Sequence, residues 1–115
     1  MFPYYLDKLF YKGLVLFPRN HECLLNGQPL KLTDTEFSIL NILMENKGQI
    51  VSIKELATLI WPDEVFIDCK DAIAVHVHHL RKKMNDTQKP YTYIGTARGV
   101  GYVMKYCESE NKYGE

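Results

Sequence analysis

Ala72-Ile-Ala-Val-His-Val-His-His-Leu-Arg-Lys-Lys-Met84, followed after a short polar loop by Tyr93-Ile-Gly-Thr-Ala-Arg-Gly-Val-Gly-Tyr102, is the stretch that decides the fold. Ile73, Val77, Leu80 and Met84 are spaced 4, 3 and 4, so a helix from about Lys70 to Met84 gathers them into one buried seam. At about 100° per residue, Asp71, Val75, His78, His79 and Lys82 fall most nearly opposite that seam. Ala74 and Arg81 lie on one flank. Ala72, His76 and Lys83 lie on the other. The helix therefore packs with one side and offers small, histidine and cationic residues with the other. After the polar loop from Asn85 to Pro90, the segment from Tyr91 to Tyr106 reads as a closing hairpin, with Arg98 at a glycine-rich tip.

Upstream, Leu14-Val-Leu-Phe17 has strand character and stops at Pro18-Arg-Asn20. Glu22 to Leu25 and Gln28 to Leu32 flank Asn26-Gly27, a strong hairpin signal because both residues tolerate positive φ. With Leu9 to Tyr11, the N-terminal third predicts three or four antiparallel strands. Thr33 and Glu36 form a capping box that opens a first helix, in which Phe37, Leu40, Leu43 and Met44 repeat at helical spacing. Gly48 stops it. Ile50-Val51 reads as an extended link. Ser52 and Glu55 cap a second helix, with Leu56, Leu59 and Ile60 facing inward and Trp61-Pro62 ending it. Asp63 to Asp68 is an acidic loop whose Val65-Phe-Ile67 is expected to tuck against the core.

The chain has 115 residues and 46% apolar content, which suits one packed domain. No apolar run reaches the roughly 18–20 residues of a bilayer span, and Met1 to Tyr11 lacks a signal-peptide core, so a cytoplasmic setting is expected. Cys23, Cys69 and Cys107 are widely spaced, which indicates neither a disulfide framework nor a zinc ribbon. Net charge is zero but unevenly divided. Residues 1–68 carry six cations against nine carboxylates, and residues 70–105 carry seven against two. The cationic half holds the quoted helix and hairpin, which is the footprint of a surface that faces a polyanion.

Sheet, three helices and hairpin together predict an α+β winged helix-turn-helix. Its third helix would lie in a major groove and its second would cross the backbone. Ala72, Ala74 and Val75 let the helix approach base edges, and Val75 suits thymine methyls. Arg81, Lys82 and the histidines reach acceptors or phosphates. Arg98 suits a narrow minor groove. The first amides of the second helix, with Ser52 and Lys54, are expected to hold a phosphate.

These residues resemble the OmpR/PhoB-type winged-helix DNA-binding domain of bacterial response regulators. The likeness rests on Leu32-Thr33 with Glu36-Phe37 and Leu40, and on Val51-Ser52 with Leu56 and Trp61. It continues through Ala74-Val75-His76-Val77, Leu80-Arg81-Lys82-Lys83, Ile94, Thr96 and Arg98-Gly-Val-Gly-Tyr102. The resemblance covers residues 9–106, with 1–8 as an N-terminal extension and 107–115 as a flexible tail. It implies base or backbone contacts at Ala72, Ala74, Val75, His76, His78, His79, Arg81 and Arg98, and backbone contacts at Trp61, Thr96 and Tyr102. It also implies tandem binding to direct-repeat promoter sites by a domain that is monomeric in isolation, contact with RNA polymerase, and a receiver domain with its sensor kinase in a longer parent. No cofactor or metal is expected. The chain departs from the family pattern at Asp71, where arginine or asparagine is common, and at His78-His79, where an arginine pair is common. Those changes predict modest affinity and binding that tightens toward about pH 6. Other readings stay open: a winged helix used for protein contacts, the DNA-binding domain of a membrane-tethered regulator, or a metal site at His76 and His79. Whether the chain is an excised domain or a stand-alone regulator is equally open.

Overall fold

The computed structural model describes residues 8–63 and 70–105. Residues 1–7 of the N-terminal extension, Val65, Phe66 and Ile67 of the acidic loop, Cys69, Cys107 and the tail lie outside the described residues. Strands β1 (Leu9–Tyr11), β2 (Leu14–Phe17), β3 (Glu22–Leu25) and β4 (Gln28–Pro29) form an antiparallel meander in sequence order. Asn26 and Gly27 form the two-residue turn expected of them, at φ 53° and 83°, between the paired residues Leu25 and Gln28. Leu14, Leu16 and Cys23 point into the core. The last strand is shorter than the run to Leu32 that the sequence suggested, although just beyond it Leu30 N still donates to Cys23 O at 2.9 Å.

Helix α1 (Asp34–Glu45) and helix α2 (Ile53–Ile60) both begin with the reciprocal capping boxes read from the sequence, Thr33 with Glu36 and Ser52 with Glu55. Each box satisfies two amides that a helix start otherwise leaves unpaired. Leu59 does not face inward as expected and is 60% exposed. Ile53, Leu56, Ala57 and Ile60 centre the packed arc, and Leu59 falls about 110° from that centre. Helix α3 (Lys70–Lys83) buries the expected seam: Ile73, Val77, Leu80 and the following Met84 are almost wholly inaccessible. It ends in a Schellman motif. Asn85, at φ 58°, donates to Lys82 O, and Asp86 N donates to Arg81 O at 2.7 Å.

Strands β6 (Ile94–Ala97) and β7 (Gly101–Met104) form the expected hairpin. A third strand, β5 (Val51–Ser52), pairs with β7 on the other side, giving the order β5-β7-β6. From the sequence alone, Ile50-Val51 reads only as an extended link. Gly101 explains the pairing: a Cβ there would lie 2.0 Å from Val51 O and 2.8 Å from Ser52 Cα. The helices share one core with both sheets.

Candidate nucleic-acid interface

The solvent side of α3 is built as the periodicity required. Asp71, Ala72, Ala74, Val75, His78, His79 and Lys82 are all exposed, and Val75 keeps 51% of its surface open. Ala72, Ala74 and Val75 are small enough to leave the helix backbone there accessible to a partner. His76 is half-buried, its ring 6.3 Å from that of Trp61 at the end of α2. The His78 and His79 rings lie 5.9 Å apart. The wing tip is a tight turn closed by Val100 N donating to Ala97 O, with Gly99 at φ +77° and Arg98 exposed. Ile53 N donates to Val100 O at 3.0 Å and fixes the tip against the start of α2.

That bond corrects the expected phosphate cradle at α2. Of its first three amides, that of Ile53 is taken by the wing and that of Glu55 by Ser52 Oγ. A bare row of donors is therefore not presented there.

The two cations on the flanks of α3 are held by other elements of the fold. Lys83 Nζ lies 2.6 Å from Glu36 Oε1, a carboxylate of α1 that is only 2% exposed. Burial raises the Glu36 pKa. The Lys83 hydrogen bond, the Thr33 amide and the Lys83 and His79 charges outweigh it, and the net result is a carboxyl held below its ordinary value. Arg81 Nε and Nη2 donate to Ile94 O at 3.2 and 2.7 Å, and Nη2 also donates to Thr96 Oγ1 at 2.9 Å. The guanidinium lies 3.7 Å from the Tyr91 ring centre and 5.9 Å from that of Tyr102. The sequence offered no local signal for this, since the partners stand 10 to 21 positions downstream.

Thr96 is exposed, and with its oxygen accepting from Arg81 its hydroxyl proton remains available to an acceptor. Tyr102 is only 8% exposed and packs in the core; burial pushes its hydroxyl pKa up, opposed by the Arg81 charge. Asp86 was also missed. It was read as part of a polar loop, yet it is buried and accepts from the amides of Thr92, Tyr93 and Ile94 at 2.7 to 3.1 Å.

A helical bundle whose third helix has an open outer face, joined to a two-stranded wing with a basic tip, defines a winged helix-turn-helix domain. The family described as transcriptional regulatory protein, C terminal, matches residues 27–104, and the chain belongs to that family, the OmpR/PhoB type of response regulators. The regulatory protein VanR of Enterococcus faecium is 52% identical over 95 residues, which is 83% of this chain and 41% of VanR. CpxR of Escherichia coli is 36% identical over 92 residues, 80% of this chain and 39% of CpxR. The chain thus spans about two fifths of the length of the curated relatives it matches. The crystal structure of the CpxR DNA-binding domain superposes with a TM-score of 0.73 at 35% identity, covering 85% of this chain and 95% of that one. The Klebsiella pneumoniae RstA DNA-binding domain, solved in complex with the RstA box, gives 0.76 at 25% identity, covering 86% and 97%.

Proposed function

We propose that this domain regulates transcription by binding double-stranded promoter DNA sequence-specifically, as the effector part of a response regulator. Helix α3 enters the major groove through Ala72, Ala74, Val75, His76, His78, His79 and Lys82. Arg98 enters the neighbouring minor groove, and Trp61 and Thr96 contact backbone. The observation that carries this reading is the open face around Val75 in the same domain as a basic, exposed wing tip. The domain works by binding, without chemistry of its own. In a full-length parent it acts in the cytoplasm behind a receiver domain addressed by a sensor kinase, pairs in tandem on direct repeats and contacts RNA polymerase.

The test is selection of binding sites from random duplexes, followed by chemical-shift mapping with the enriched sequence. Enrichment of a directly repeated motif, with shifts centred on Val75, His79 and Arg98, is the expected result. No enrichment, or shifts that spare those three residues, overturns the reading. Affinity that barely changes with salt points instead to a protein partner, because phosphate contacts release counterions.

A further inference from the structure

In a three-stranded sheet ordered β5-β7-β6, strand β6 is an edge. Tyr93 O accepts from Lys105 N, and Gly95 pairs with Val103, so alternate residues of β6 turn their backbone groups toward β7. Ile94 lies between them and turns its amide and carbonyl to the open side. Both groups are nonetheless bonded, and both partners come from the last turn of α3 or just beyond it. Asp86 Oδ2 accepts from Ile94 N at 3.1 Å, and Arg81 donates twice to Ile94 O. The end of the helix thus occupies the place of a fourth strand. Arg81 adds a bond to Thr96 and lies over Tyr91, so one guanidinium touches the lead-in to the wing and its first strand. Its own carbonyl accepts from Asp86 N, which locks this residue to the second clamp.

A planar fork bound to one carbonyl and stacked on a ring has little freedom to swing toward a phosphate. We infer that Arg81 is a positioning residue: it fixes the wing at one angle to α3, and it acts on DNA through the wing. This rests on the proposed DNA reading. Its consequence is geometric. The distance between the major-groove element and the Arg98 tip becomes a property of the clamp, so the DNA must present its minor-groove site at one offset from the bases read by α3.

The experiment is a double-mutant cycle on the enriched duplex with Arg81→Met, Arg98→Ala and the double variant. Arg81→Met is expected to weaken binding roughly tenfold while the base preference under α3 stays unchanged. In the Arg98→Ala background it is expected to cost almost nothing more, because the wing no longer contributes. Arg81→Lys keeps the charge but not the fork, and should rescue only partly. Tyr91→Leu removes the stacking platform without touching the α3 face. It should reproduce the non-additivity even if Arg81→Met fails to fold.

Hydrogen exchange of the free protein supplies a readout without DNA: Arg81→Met should speed exchange along β6 while leaving the α1 core protected. Additive losses, with a salt dependence shallower by about one phosphate contact, make Arg81 a direct contact and overturn the inference alone. Unchanged exchange in β6 also overturns it. Failure of the unmodified domain to retain any duplex overturns the DNA reading, and this inference with it.

Discussion

Lys83 Nζ lies 2.6 Å from Glu36 Oε1 and joins the end of α3 to the start of α1. The carboxylate is buried and also serves the α1 capping box through Thr33 N at 3.0 Å. Because its folded pKa lies below the ordinary carboxylate value, the stability it contributes is fully present above about pH 4.5. It is lost as pH falls through the folded value. Lys83→Met strands the carboxylate and should destabilise by about 1–3 kcal/mol, discounted because Lys83 is itself partly exposed. It should also move the acid-unfolding midpoint to higher pH. Urea melts at pH 7 and pH 4 check both effects: the gap between variant and parent must shrink at the lower pH.

Gly101 carries a second prediction. Gly101→Ala drives a methyl group into the Val51 carbonyl, and a backbone atom cannot step aside as a flexible side chain would. The β5–β7 pair must separate, at a cost of about 1–3 kcal/mol or more. Amide protection at Val51 and Tyr102 should fall first. Gly99→Ala also costs some stability, because φ is +77° there, but its Cβ would meet nothing within 4 Å. A Gly99 variant as damaging as the Gly101 one removes the steric explanation.

Leu80 anchors the α3 seam at 0% exposure, so Leu80→Ala should cost about 2–5 kcal/mol in equilibrium unfolding. The loss should appear in stability before it appears in affinity. At temperatures where the variant stays folded, its DNA affinity should match the parent's.

Local and periodic signals were legible in the sequence: both capping boxes, the Asn26-Gly27 turn, the Ile73-Val77-Leu80-Met84 seam and the hairpin around Gly99. Each is encoded within about a dozen residues. What escaped were pairings between distant segments. Two-residue β5 has no pattern of its own and exists only because Gly101 lets it approach. Leu59 sits on an eight-residue helix, where a small angular error moves a residue from core to surface. A helical wheel places Arg81 and Lys83 on the flanks of α3 but knows nothing of the Ile94 carbonyl or the Glu36 carboxylate that hold them. Asp86 looked like any loop aspartate until β6 supplied three amides.

Arg98 and Val75 separate binding from folding. Both are exposed, so neither substitution opens a cavity. Arg98→Ala should weaken duplex binding roughly tenfold, the scale of one lost charged hydrogen-bonding partner, with the thermal midpoint nearly unchanged. Val75→Asp should abolish specific binding by setting a carboxylate against base edges and should leave the α3 seam intact. Gel shifts alongside circular dichroism check both. Full affinity in Arg98→Ala at moderate salt removes the wing from the interface.

The paired histidines give the last prediction. His78 and His79 stand on the outward face with Lys82, near exposed Asp71 at the helix start and half-buried His76. Neutral imidazole offers a phosphate one donor, whereas imidazolium offers two and a charge. Acidification favours the charged form, so binding should tighten between about pH 7.5 and pH 6. The same protonation adds phosphate contacts, so the salt dependence should steepen at the lower pH. Replacing both residues with glutamine should flatten the pH response and leave the neutral-pH affinity close to the parent's. Replacing them with arginine should give the tight, pH-independent binding that the acidic form only approaches. Equal affinity at both pH values in the unmodified domain would remove the imidazoles from the interface and leave Val75, Lys82 and Arg98 to carry it.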